Sequence, residues 1–201
     1  MPLNHYHLVT NWRVLGTVEE VYAVISDARS LQRWWPAAFA EVLELQPGDE
    51  TGFEKVVRYE TMGWLPYKLH WHTSTTSTDP PNGFRFRVWG DLNGTGEWRL
   101  AQDGAWTNVT FDWDILATKP FLRLASPLLR PLFVSNHRWA MAKGEESLRL
   151  ELAKRQAAGD AERAGLASPP QPVRYPALPL VVGLGAFAAV LVWRSRSGKR
   201  R

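Results

Sequence analysis

With five histidines and no cysteine in 201 residues, the chain has a narrow range of possible chemistry. Disulfides, zinc–thiolate sites, iron–sulfur clusters and cysteine nucleophiles are all excluded. His137 falls on one helical stripe with Val134, Met141, Leu148 and Leu152, bordered by Gly144 and Glu145. That stripe turns inward. An inward imidazole either packs in the core, hydrogen-bonds a ligand or acts as a general acid/base. His70 and His72, like His5 and His7, stand two apart on extended segments and so share a face. Metal sites use that spacing, but both pairs lie opposite the apolar face and lack a third ligand, so no metal is expected. Asp112 and Asp114 are spaced like paired catalytic carboxylates but fall on the outer face of a strand. Arg58 and Asp91 are the other polar residues that could project inward. A buried Arg58 would need a carboxylate partner or an anionic ligand head, and solvation is the simpler reading. No Gly-rich phosphate loop or Ser-His-Asp order occurs, and no cofactor is expected. Two glycosylation sequons, at Asn93 and Asn108, would matter only on secretion.

Aromatic residues stand where a ligand wall would be. Phe53, Val57 and Tyr59 alternate with Glu54, Val56, Arg58 and Glu60, while Tyr67, Leu69 and Trp71 alternate with Lys68, His70 and His72. Val109, Phe111, Trp113 and Ile115 share one face of a later segment. Such rings either fill a core or line a pocket for an aromatic or acyl ligand.

The elements that position these residues follow from periodicity. Tyr6, Leu8, Thr10, Trp12 and Val14 predict a first strand. Thr17 to Glu20 has capping-box spacing ahead of a helix bearing Val18, Val21, Tyr22 and Ile25, and Asp27 to Trp35 predicts a second short helix stopped by Pro36. Six strands follow, over Phe39–Gln46, Thr51–Met62, Tyr67–Thr78, Gly83–Asp91, Asn93–Gln102 and Trp106–Thr118, spaced closely enough for an antiparallel meander. Pro120, Pro127 and Pro131 break the next segment, and a long helix is predicted from about Pro131 to Gln156. The fold class is thus α+β, a seven-stranded curved antiparallel sheet with one face covered by the long helix.

The charge is unevenly placed. Residues 1–160 hold 17 Lys/Arg against 19 Asp/Glu, whereas residues 161–201 hold seven against one. Tyr175 to Trp193 is a run of 19 residues without a charge, followed by Arg194, Arg196, Lys199, Arg200 and Arg201. As a helix it would be roughly 28 Å long, which suits the ~30 Å hydrocarbon core. The rings at its ends suit the interface, and the basic cluster suits anionic headgroups rather than nucleic acid. The expected layout is a ligand-binding domain at 1–155, a flexible Ala/Pro-rich linker at 156–174, a single-pass C-terminal transmembrane helix at 175–193 and a basic tail at 194–201. Gly185 and Ala189 form a small-xxx-small pair that would permit weak homodimerisation. The N-terminal stretch has no basic or apolar signal region, which predicts that the domain stays cytoplasmic. The positive-inside rule opposes this by one charge, and the missing export signal is given more weight.

The element order and several motifs resemble the START-like (SRPBCC) superfamily, nearest to its polyketide cyclase/dehydrase and lipid-transport branch. The resemblance is carried by Asp27-Ala28, Trp34-Trp35-Pro36-Ala37, Leu65-Pro66-Tyr67 with Trp71, and Gly90-Asp91-Leu92-x-Gly94-x-Gly96-x-Trp98. It continues through Lys119-Pro120 and Asn136-His137 with Met141, Gly144 and Glu145, so that it covers roughly residues 5–153. It implies a helix-grip fold with a hydrophobic ligand tunnel under the C-terminal helix, and no fixed reaction. The candidate ligand-contacting residues are Arg58, Tyr67, Trp71, Asp91, Trp98, Phe111, Trp113, His137 and Met141. Two functions are open. One is membrane-tethered binding or transfer of a lipid, isoprenoid or aromatic molecule. The other is a polyketide-type cyclase or dehydratase with His137 as acid/base. A carrier needs apolar walls and one polar anchor, whereas an enzyme needs at least two polar groups converging on a reacting carbon. With His137 the main inward polar residue, the carrier reading leads.

Overall fold

The computed structural model describes residues 4–119 and 126–175. β1 (His5–Leu15) opens the chain, and α1 (Val18–Ile25) follows the turn at Gly16. The capping box is formed: Glu20 N donates to Thr17 Oγ1 at 3.2 Å and Thr17 N to Glu20 Oε2 at 2.9 Å. The predicted second helix is a 3₁₀ turn (Ala28–Ser30) running into α2 (Leu31–Trp34). Then come β2 (Phe39–Gln46), β3 (Val56–Thr61), β4 (Leu69–Asp79), β5 (Gly83–Gly90), β6 (Leu92–Asp103) and β7 (Trp106–Ala117). All seven strands join one antiparallel sheet in the order β1-β7-β6-β5-β4-β3-β2. β2 to β7 are thus a meander, and β1 closes onto the last strand, from His5 opposite Leu116 to Leu15 opposite Trp106.

α3 (Ser126–Gln156) lies against the sheet face that carries the apolar side chains, and the core is what the two enclose. Its stripe is as expected, with Met141, Leu148 and Leu152 buried. α2 is pinned to it by Arg33, whose guanidinium donates to both oxygens of Glu151 at 2.6 and 2.8 Å, while Arg155 adds a third bond at 2.9 Å. Burial pushes the Glu151 carboxyl up, but the two guanidinium groups outweigh it and hold it below its usual range.

Three strand or long-helix boundaries differ from expectation by two residues or more. β3 begins at Val56 rather than Thr51, because Asp49 Oδ1 captures Thr51 N, Thr51 Oγ1 and Phe53 N and folds residues 49–53 into a turn. Phe53, predicted to face inward, is therefore 39% exposed. β4 starts at Leu69, after the turn containing Pro66, rather than at Tyr67. α3 starts at Ser126 and runs through Pro131, which lies past the first turn and removes one N–H from the backbone ladder.

The segment expected as a linker contains a short helix, α4 (Asp160–Gly165). No helix among the described residues is long and apolar enough to cross a membrane. Apart from Tyr175, the predicted span lies outside the described residues, as do Gly185, Ala189 and the basic tail.

Candidate functional site

Between the sheet and α3 lies a cavity of about 230 Å³. An apolar cavity of ~150 Å³ accepts a benzene-sized molecule, so this one has room for a ligand of roughly two rings. One wall is a run of aromatic rings crossing four strands. Tyr59 on β3 stacks on Trp71 of β4 (4.5 Å between centroids), Trp71 meets Trp113 of β7 edge-on (5.4 Å), Trp113 stacks on Phe111 (5.3 Å), and Phe111 stacks on Trp98 of β6 (4.2 Å). Such offset and edge contacts are the favourable arrangements of aromatic quadrupoles. Gly96 makes room for the run: a Cβ there would stand 2.4 Å from the Phe86 ring and 2.9 Å from Trp113. The second glycine of the Gly-x-Gly motif thus serves ring packing here and has no phosphate role.

The polar groups beside this aromatic run are neutral. Trp71 Nε1 donates to Thr61 Oγ1 at 2.9 Å. Burial pushes the Tyr59 phenol up to about 12, against a hydrogen bond with Thr73. Burial also raises Tyr67, with Tyr6 adding to the shift. His137 enters from α3. Burial, with a smaller contribution from the charge of Arg138, lowers its pKa to about 4, so it is neutral at pH 7. Its Nε2 is buried without a hydrogen-bond partner among the described residues, and so is Trp34 Nε1, which also borders the cavity. Buried polar atoms are normally satisfied, so these two residues of the cavity lining hold unmet hydrogen-bonding capacity, which a small shift of either ring would turn toward a bound molecule. No carboxylate among the described residues lines the cavity.

The structure brings together Tyr67, Trp71, Trp98, Phe111, Trp113, His137 and Met141 around this space. Arg58 and Asp91 are placed elsewhere. Because Tyr59 points inward, strand alternation turns Arg58 outward, where it pairs with Glu41 at 3.3 Å. Asp91 sits between β5 and β6 and accepts from His70 N and from Lys119 Nζ, both at 2.9 Å. Burial raises the Asp91 pKa, but these donors outweigh it and leave it lowered. The paired histidines and aspartates answer each other on the outer face: His5 bonds Asp114, and His7 bonds Asp112 at 2.9 Å. His70 bonds Glu60 at 2.9 Å, and His72 stacks on Trp89. No group of three potential metal ligands occurs among the described residues.

Three further lining groups stand outside the candidate set. Trp34 is read from sequence as part of a short helix and of the Trp34-Trp35-Pro36-Ala37 motif, not as a ligand contact. Phe133 comes from the part of α3 that contains Pro131, and its ring contacts Tyr6 and Tyr67. Lys55 lines the cavity as well, and its position shares the parity of Val57 and Tyr59, so alternation alone could have found it. Asn136 does a structural task next to His137: its Oδ1 accepts from Leu65 N at 3.0 Å and ties the β3–β4 connection to α3.

The family model described as "Polyketide cyclase / dehydrase and lipid transport" matches residues 10–149. Among solved structures, the Zhui aromatase/cyclase from Streptomyces sp. R1128 is similar with a TM-score of 0.63 at 17% identity, covering 81% of this chain and 99% of that one. Norcoclaurine synthase from Thalictrum flavum gives 0.52 at 14% identity, with 76% and 97% covered. A START superfamily protein from Mycobacterium smegmatis gives 0.50 at 14% identity, with 68% and 98% covered. At such identities the likeness is one of fold. No curated protein matches the chain.

Proposed function

The chain belongs to the polyketide cyclase/dehydrase and lipid transport family, and we propose that it is a binding or transfer module for one hydrophobic small molecule, held at a membrane by its C-terminal segment. The observation that carries the reading is the aromatic-walled cavity whose lining includes His137, with its buried Nε2 lacking a hydrogen-bond partner among the described residues. Ligand sites are mostly apolar, with a few placed polar groups. A neutral imidazole among stacked rings fits that pattern as an anchor for a hydroxyl or carbonyl of a lipid, isoprenoid or aromatic ligand. The tether rests on the uncharged run Tyr175–Trp193 and the basic residues after it.

A cyclase or dehydratase with His137 as acid/base is the second reading, favoured by the catalytic names of two similar structures. Against it, an imidazole lowered to about 4 is not the imidazolium acid at pH 7 and is a weak base, and no carboxylate among the described residues lines the cavity to work with it.

The test is saturable binding. The full-length protein should bind the neutral fluorophore N-phenyl-1-naphthylamine at one per chain, and native mass spectrometry of the purified protein should show a co-purified small molecule. Absence of saturable fluorophore binding overturns the proposal.

A further inference from the structure

A second, more polar depression adjoins the cavity, and the two share Tyr22, Ser26, Thr51, Gly52 and Lys55. Among the described residues lining the cavity, Lys55 alone carries a permanent charge. Its placement is built into the fold. Lys55 N donates to Gly52 O at 3.3 Å, and its own carbonyl accepts from Thr75 N at 3.0 Å, which fixes the backbone at the start of β3. Gly52 has φ +83°, and a Cβ there would meet Lys55 Nζ at 3.3 Å, so the side chain lies across a position without one. From there Nζ donates to Ser26 O, at the C-terminal cap of α1, at 3.0 Å.

An ammonium has three N–H groups, and one is used here. No carboxylate among the described residues pairs with Lys55. Asp49 and Glu50 line the depression together with Lys55, and Asp49 commits Oδ1 to three donors of its own loop. A half-buried cation with free donors, at the mouth of an otherwise uncharged cavity, is complementary to an oxyanion joined to an apolar body.

We infer that the ligand is an amphipathic carboxylic acid whose carboxylate is held by Lys55 at the mouth while its apolar part lies among the aromatic rings. This deepens the binding reading above and rests on it.

The test compares 2-naphthylacetic acid with its neutral isostere 2-naphthaleneethanol. Each is titrated into the full-length protein by tryptophan quenching, against a protein-free blank for partitioning. The wild type should bind the acid at least about tenfold more tightly, the scale of a hydrogen bond to a charged group. Added salt should narrow that gap. Lys55→Gln, which keeps a donor for Ser26 O, should abolish the preference while leaving the alcohol within about twofold, and Lys55→Arg should retain it. Equal affinities in the wild type, or an acid preference that survives Lys55→Gln, overturn the inference while alcohol binding leaves the cavity reading intact. If neither probe binds, both fall.

Discussion

The indole of Trp35 occupies the space that a side chain at position 144 would need. A Cβ on Gly144 would stand 2.4 Å from the ring, whose Nε1 donates to Ala140 O at 3.2 Å. Two effects therefore oppose each other in Gly144→Ala. The helix gains ~1 kcal/mol of propensity, while overpacking a filled core costs ~1–3 kcal/mol. Overpacking should prevail because the ring is hydrogen-bonded in place, and Gly144→Val should be worse than Gly144→Ala. Thermal denaturation checks this, and an Ala variant as stable as wild type would show that Trp35 can move.

His137 gives the fold a dependence on pH. Its folded pKa of about 4 lies below the ordinary 6.5, so between those values the unfolded chain binds more protons. Stability from this group is full above 6.5 and is lost as pH falls toward 4, by on the order of 3 kcal/mol. His137→Leu should remove that part of the slope in denaturant titrations at pH 7, 5.5 and 4.5. The same variant should weaken ligand binding by ~1–3 kcal/mol, because a polar group of the ligand loses its partner.

The aromatic run predicts a split between binding and stability. Trp71 and Trp113 border the cavity, whereas Trp12 packs behind it against Trp35 and Trp98. Trp71→Leu and Trp113→Leu should reduce fluorophore affinity several-fold. Trp12→Leu should lower stability by a few kcal/mol with affinity nearly unchanged in the folded fraction. Equal affinity losses in all three would refute the assignment of the cavity wall.

The C-terminal segment is tested by fractionation. The full chain should sediment with membranes and resist alkaline carbonate, and a chain ending at Gln156 should remain in the supernatant and stay folded. Recovery of the full chain in the soluble fraction without detergent would eliminate the tether.

The fold was legible where one period dominated. β2 was bounded correctly, α1 was announced by Thr17 and Glu20, and the inward faces of β7 and α3 followed from alternation and from the 3.6-residue stripe. Reading failed where a side chain competed with the backbone: Asp49 turned an expected strand into a loop and carried Phe53 outward. It also failed where parity was given up for chemical appeal. Arg58 sits between the inward Val57 and Tyr59, so alternation already placed it outside. The cavity was beyond reach for a different reason. Periodicity says which rings face inward, but whether they fill the space depends on strand curvature and on glycines such as Gly96.

The pairing of β1 with β7 has a consequence during synthesis. Tyr6, Trp12 and Val14 are made about a hundred residues before the strand that they pair with. At ~5–20 residues per second, β1 waits roughly 5–20 s during synthesis for its partner strand. Throughout that interval β1 is an unpaired edge with apolar rings exposed, and its closure is a long-range, slow step. A holdase that covers residues 5–15 until β7 is made would therefore protect the strand that waits longest for its partner.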